Sequence, residues 1–211
     1  MKILAVDTAL GACSAAVLDD GRVAAHVVTL MDRGHAEALA PMVDEAMRAS
    51  GFAFAALGRL AVTTGPGTFT GQRVGLAFMR GLRVVLKRPL IGVTSLATMA
   101  AQAMDETGRP RAAAIHDARR DEFYVEIAPG GEPLLLARDA VAEMFASFDG
   151  ALCGTGAPLF AETAKGAVQS SVRQPDALWV ARLASTMPEP GEVPRPLYLR
   201  APDAKLPAGR I

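Results

Sequence analysis

The chain has 211 residues, 51% of them hydrophobic, with 22 Lys+Arg balanced by 22 Asp+Glu. That length allows one large domain or two small lobes around a sizeable core. The balanced charge lacks the basic excess of a protein that holds nucleic acid by itself, though it leaves room for a local patch.

The first elements are short. Ile3 to Val6 reads as a strand ending in Asp7-Thr8, with no signal peptide before it and no apolar run of membrane-spanning length anywhere. A soluble cytoplasmic protein is therefore expected. Cys13 and Cys153 lie far apart, form no C-x-x-C and sit among small apolar residues. They are expected to be buried thiols in a reducing compartment, with no structural zinc. Ala12 to Leu18 and Val23 to Leu30 are two further strands, joined by the hairpin signal Asp20-Gly21. Asp7, Thr8 and Ser14 at the first turn could hold a hydrated metal ion or a phosphate, or cap the turn through its own backbone.

A helix is expected from His35 to Ser50, stopped by Gly51. Pro41 predicts a kink there or a start nearer Ala40. The helix carries two apolar stripes, one through Ala36, Ala40, Val43 and Met47, the other through Leu39, Met42 and Ala46. A surface helix needs only one stripe, so two mean deep burial or a face kept for a partner.

The run Leu60 to Val62 leads into Thr63-Thr64-Gly65-Pro66-Gly67-Thr68-Phe69-Thr70-Gly71-Gln72-Arg73, and an apolar periodic run leaves it from Val74 to Leu86. This is the outline of a buried strand, a glycine turn and a helix. Gly65 and Gly67 can take positive φ, and Thr68 or Thr70 can cap the helix. The turn is either a well-capped corner or an anion site at a helix N-terminus. It is not a Walker A loop, because no Lys-Ser/Thr stands at the required spacing. The helix again shows two stripes, Val74-Phe78-Gly81-Val85 and Leu76-Met79-Arg83, while Gly71 and Gly75 leave its first turn bare for another backbone.

Pro89 to Val93 is a strand, Ser95 to Met104 a helix, and Thr107-Gly108-Arg109-Pro110 a lobe boundary. The order of elements then restarts. The strand Ala112 to Ile115 ends in His116-Asp117, and Phe123 to Ala128, Leu134 to Leu136, a helix from Asp139 to Phe148 and the strand Ala151 to Gly154 follow. The expected fold is α/β, two lobes of duplicated topology with the second reduced. The lobes span 1–107 and 108–200; Leu197-Tyr198-Leu199 forms a final strand, and 201–211 a loose tail.

Five blocks stand in the order found in the bacterial TsaB (YeaZ) family: Val6-Asp7-Thr8, Arg33-Gly34-His35-Ala36-Glu37, Gly65 to Gly75, Pro89 to Leu96, and Asp117 to Tyr124. Pro196-Leu197-Tyr198-Leu199-Arg200 adds a sixth. The chain resembles that family over nearly its whole length. The resemblance implies the fold of actin-like, sugar-kinase and Hsp70 ATPases. It also implies a non-catalytic subunit, required when the relative TsaD transfers a threonylcarbamoyl group to the adenosine beside the anticodon of tRNAs that read A-starting codons. The implied partners are TsaD, engaged through the first two long helices, and the ATPase TsaE. A homodimer is expected when the chain is alone, and tRNA is met only through the complex.

On this reading no residue is catalytic and no metal or cofactor is held. A nucleotide or anion at Asp7, Thr8, Gly65 and Gly67 remains the minor alternative. The partner face is assigned to His35, Leu39, Met42, Ala46, Gly71, Gly75, Leu76, Met79 and Arg83. The rival is an enzyme of the same fold, a metallopeptidase or ATPase. TsaD relatives bind metal with an H-x-x-x-H pair after a strand ending in G-V; here those positions are Ser95 and Met99, a poor ligand and a soft one. Asp7 and Asp117 end matching strands and could face one cleft, as a phosphotransfer site would require.

Overall fold

Two five-stranded sheets carry the chain, and one strand order is repeated in both. The computed structural model describes residues 1–200. The first lobe contains β1 (Lys2–Asp7), β2 (Ala12–Asp19), β3 (Arg22–Leu30), α1 (His35–Ser50), β4 (Arg59–Gly65), α2 (Phe69–Leu86) and β5 (Leu90–Thr94). After α3 (Ser95–Thr107) come β6 (Ala112–Asp117), β7 (Glu122–Ala128), β8 (Leu134–Ala137), α4 (Arg138–Phe145), β9 (Ala151–Cys153), β10 (Val168–Gln169) and α5 (Ala177–Thr186). The sheets run β3-β2-β1-β4-β5 and β8-β7-β6-β9-β10, with antiparallel pairing through the first three strands and parallel pairing beyond. The expected duplication is therefore present. The second copy is reduced: where the first lobe has α2, the second has only a 3₁₀ turn at Ala157–Phe160, and its last two strands have three and two residues.

Strand alternation divides the core. Leu4 and Val6 face α1 and α2 on the outer side of the first sheet, packing with Leu39, Val43, Leu76 and Met79. Ile3 and Ala5 face the other way. In the second sheet Ala113 and Ile115 pack toward α4 with Phe123 and Phe145, while Ala112 and Ala114 face α3. Residues two apart share a face because the strand period is two.

The helix after each sheet crosses to the other lobe. Leu96, Met99, Ala100 and Ala103 of α3 cover Ala112, Ala114 and Cys153 of the second sheet. Ala177, Val180, Ala181 and Ala184 of α5 cover Ile3, Ala5, Ala16, Ala61 and Ile91 of the first. So within the expected second lobe, 108–200, the segment carrying α5 rests on the first lobe. Three polar bonds seat it. Gly11 N–H donates to Gln174 Oε1 (2.8 Å), Ala177 N–H to Ser14 Oγ (2.9 Å), and His26 Nε2 meets Asp176 Oδ1 at 2.8 Å. Residues 193–200 then cross the front of the first lobe, where Leu197 N–H donates to Thr64 O (2.8 Å).

Several expectations need correction. Helix α1 starts at His35 and runs through Pro41 without a break; Pro41 is exposed, so the carbonyl deprived of its N–H faces water. Leu197–Leu199 makes one backbone bond to β4 rather than a strand. The tail from 201 to 211 lies outside the described residues. Helix α5 and β10 have no counterpart in the sequence reading, although Asp176, the N-cap, and Ala177-Val180-Ala181-Ala184 at helical spacing carry a signal for the helix.

The crossing of α5 makes a prediction. Ala181 is fully buried between the helix and the first sheet, so Ala181→Leu overpacks that seam and is expected to cost about 1–3 kcal/mol. The same enlargement at exposed Ala140 of α4 should cost almost nothing. Urea denaturation of both variants checks it.

Candidate functional site

Helix α2 begins against the turn that follows β1, and the contact is backbone to backbone. A Cβ on Gly67 would collide with the Ala9 carbonyl, and one on Gly71 with the Thr8 carbonyl. Thr68 N–H donates to Ala9 O (2.9 Å), and its hydroxyl caps the helix by accepting from Gly71 N–H (3.1 Å). The Thr8 hydroxyl enters the first turn itself. It donates to Gly71 O (2.7 Å) and accepts from Gly75 N–H (3.0 Å), the two groups that would otherwise bond to each other. Gly65 sits at φ +102°, where a side chain is strained. Gly67 is required by close approach rather than by positive φ, which corrects the sequence reading of that residue.

The four candidate cofactor residues are thus engaged within the chain. Asp7 is fully buried; its Oδ1 accepts from the Thr63 hydroxyl (2.6 Å) and Ala9 N–H (3.1 Å), and its Oδ2 has no partner among the described residues. Burial outweighs these bonds and raises its pKa to about 7. Asp117, its counterpart in the second lobe, is exposed and accepts from Arg119 N–H (2.7 Å). One acid lies under the fold and the other on its surface, so the two do not face one cleft.

Between the lobes, Ser95 and Met99 are both core residues. The Ser95 hydroxyl donates to Pro66 O (2.5 Å), fastening α3 under the glycine turn, and Met99 packs toward the second sheet. Across the seam the Thr94 hydroxyl donates to Glu126 Oε2 (2.6 Å), and burial lifts Glu126 to about 7. Among the described residues no three His, Cys, Asp or Glu side chains group as a metal site, and no helix is long and apolar enough to cross a membrane. Cys13 and Cys153 are free and buried, and burial raises both thiols, Cys13 to about 11.

The assigned partner face turns inward. Leu39, Met42, Ala46, Leu76 and Met79 belong to the first lobe's outer core, Gly71 and Gly75 lie against Thr8, and buried His35 donates its Nε2–H to Leu10 O (2.9 Å). Only Arg83 of that set is exposed. Of the other expected stripes, Ala36 and Ala40 on α1 and Gly81 and Val85 on α2 are exposed, whereas Val43 and Met47 are buried and Val74 and Phe78 half-buried; Ala77 and Val84, in neither stripe, are exposed beside them. The exposed residues are the smaller ones, and the large apolar side chains of both α1 stripes, Leu39, Met42, Val43 and Met47, are buried together.

One cluster escaped the sequence reading. Phe69 and Tyr198 rings stack at 6.1 Å, the Arg73 guanidinium lies 3.6 Å from the Phe69 centroid, and Arg73 Nε–H donates to Tyr198 Oη (2.7 Å). Residues 69 and 198 are far apart in the chain, so no local pattern could have joined them.

A family model described as TsaD, tRNA N6-adenosine threonylcarbamoyltransferase, matches residues 25–205. The tRNA threonylcarbamoyladenosine biosynthesis protein TsaB of Haemophilus influenzae is 30% identical over 87% of this chain and 85% of that protein. The protein of the same name from Escherichia coli K12 is 43% identical over 59% of this chain and 53% of that protein, so this match spans about half of that relative's length. A Pseudomonas aeruginosa crystal structure, titled as an uncharacterized protein with similarity to peptidase YEAZ, superposes with a TM-score of 0.80 at 31% identity, covering 94% of this chain and 99% of that one.

The buried acids set a pH dependence. Asp7 and Glu126 have folded pKa values of about 7 against ordinary values of 3.8 and 4.5. Their contribution to stability is full below about pH 4 and lost as pH rises through 7. The protein is therefore expected to be less stable at pH 8 than at pH 5. Asp7→Asn keeps an acceptor for Thr63 and removes the charge; at pH 8 it should be more stable than the parent by on the order of 2 kcal/mol, and its stability should vary less with pH. Thermal denaturation across pH 5–8 checks both.

Proposed function

The chain belongs to the TsaB (YeaZ) family of tRNA threonylcarbamoyladenosine biosynthesis proteins, and from that premise we propose that it serves this tRNA modification as a partner subunit of a TsaD-type transferase, contributing no catalytic residue. It acts in the cytoplasm, meets tRNA through the complex, and shares the assembly with a TsaE-type ATPase. The same face that receives the TsaD-type subunit pairs two copies of this chain when that subunit is missing.

The observation that carries this reading is Gly81. It lies on the exposed face of α2, inside an 18-residue helix, and apart from that helix nothing among the described residues comes within 4 Å of the Cβ it lacks. Glycine there costs the helix about 1 kcal/mol relative to alanine, and the fold does not require it. Close approach by a helix from outside does. Around it Val84 and Val85 are 70% and 76% exposed, beside the small Ala77. Such a surface is costly to leave in water and suits the apolar centre of a stable interface. The interface therefore uses the outer stripe of α2 together with Ala36 and Ala40 of α1, while the residues first assigned to it build the core behind.

Gly81→Ala is expected to raise the unfolding free energy of the isolated chain by about 0.5–1 kcal/mol. Gly81→Arg and Val85→Asp should leave the fold intact and weaken pairing with the TsaD-type subunit of the same organism by about tenfold or more in Kd. Light scattering on the mixture, with calorimetry of each variant alone, separates the two effects. Unchanged pairing by both folded variants would move the interface to another face.

A further inference from the structure

Charge is divided unevenly between the two helices of the outer face. On α1 the charged residues are Glu37, Asp44, Glu45 and Arg48, all exposed. Arg48 Nε meets Asp44 Oδ2 at 2.9 Å, an exposed pair of the kind that contributes little. On α2 there is no acid. Arg73, Arg80 and Arg83 stand on the helix, and Lys87 and Arg88 follow its end. The chain as a whole carries equal numbers of each sign, so the signs are segregated rather than in excess. None of these five basic groups is paired with a carboxylate among the described residues. Arg73 and Arg80 bond instead to the neutral acceptors Tyr198 Oη and Pro194 O. The nearest acids are at the far end of α2, where Glu189 and Glu192 line one cavity with Arg83, Lys87 and Arg88; Glu192 is itself paired with Arg195 (3.5 Å).

We propose that this face receives a second copy of the chain with each α1 laid along the other copy's α2, so that Glu37 and Asp44 of one copy face Arg73 and Arg80 of the other. This docking presupposes the interface proposed above and assigns which helix meets which.

Helices α1 and α2 run side by side in the same direction. Their first turns line one cavity of about 430 Å³, with Glu37 among its residues on α1 and Val74 on α2. At the other end Arg88 Nη2 donates to Ala55 O (3.4 Å), a few residues beyond α1. When two such layers stack with their helices aligned, the two-fold axis runs either across the helices or along them. An axis across them sets α2 on α2 and α1 on α1. The basic row of α2 then meets its own copy with no acid between, and the acids of α1 are opposed likewise. Like charges brought together in this way reject the pairing. An axis along the helices sets each α1 on the other copy's α2, acid against base, both helices pointing the same way. The spacing then matches. Glu37 and Asp44 stand two helical turns apart on α1, and Arg73 and Arg80 stand two turns apart on α2, each pair starting near the N-terminus of its helix. Between the charges Ala36 and Ala40 on α1, and Ala77 and Gly81 on α2, keep the surface low enough for one helix to close on the other.

Sedimentation equilibrium of the purified chain, at about 50 mM and about 500 mM NaCl, is the experiment, because salt screens pairing of this kind. The parent is expected to dimerise, with a Kd about tenfold higher at high salt. Glu37→Lys/Asp44→Lys should raise the Kd by about tenfold or more at low salt and reverse the salt effect, since base then faces base. Arg73→Glu/Arg80→Glu should fail in the same way. Mixed in equal amounts, the two variants should pair with each other, because each supplies the helix that the other needs. Circular dichroism verifies that they fold; if the double α2 variant does not, the exposed Arg73→Glu alone takes its place in the mixture. A parent that stays monomeric, self-pairing undiminished in the α1 variant, or folded variants that ignore each other when mixed would overturn the proposal. Loss of self-pairing in the α2 variant with the α1 variant unaffected would also overturn it, and would give the basic row to a different anionic partner. Pairing with the TsaD-type subunit separates this failure from that of the interface: if Gly81→Arg still weakens that pairing, only the orientation of the second copy falls.

Discussion

The first turn of α2 lies in van der Waals contact with the turn after β1, and the glycine turn to which Ser95 fastens α3 rests on that contact. It is possible because Gly67, Gly71 and Gly75 present bare backbone at the three points of approach. The Thr8 hydroxyl completes it by bridging Gly71 O and Gly75 N–H. A hydroxyl in that position serves as donor and acceptor at once, so neither helical group is left unsatisfied in a buried site. The same contact brings Asp7 beneath Thr63 and removes it from solvent. Thr8 and Gly67 are thus part of the joint on which the glycine turn rests.

From that joint the two halves are interlocked. Helix α3 leaves the first sheet to cover the second, and α5 leaves the second to cover the first. Each lobe's inner apolar surface is buried by a helix encoded beyond its own sheet, so neither half is a self-sufficient core. The small residues on α5, Ala177, Ala181 and Ala184, set it close to the first sheet. Polar bonds at Ser14, His26 and Gln174 hold its approach. The segment after α5 then passes the start of α2 and brings Tyr198 to Phe69 and Arg200 to the turn after β6.

The outer surface of α1 and α2 follows a different logic. Their inner stripes are packed by Leu39, Met42, Leu76 and Met79, which satisfies the helices fully. The outer stripe retains small and β-branched apolar residues that the fold does not use, with Gly81 among them. A monomer gains nothing from this composition, whereas a second helix packed against it does.

The sequence by itself determined the order of elements through β9, the duplication, a cap at Thr68 or Thr70 and the burial of both thiols, because these depend on local spacing: apolar periods of two and 3.6, a hydroxyl three residues before an N–H, glycine where backbone must turn. The family blocks added the role. Tertiary structure alone decided that both expected stripes of α1 turn inward at Leu39, Met42, Val43, Ala46 and Met47, because the first sheet and α2 close over a wider face of the helix than one stripe. It also decided that Asp7 lies under the fold while Asp117 does not, although both end matching strands. The difference arises because the first lobe has a full helix α2 to close over its turn, and the second has a single 3₁₀ turn at the same place. The cluster of Phe69, Arg73 and Tyr198 was likewise invisible until the chain crossed itself, because its members lie more than a hundred residues apart and meet only through the exchange of α3 and α5 between the lobes.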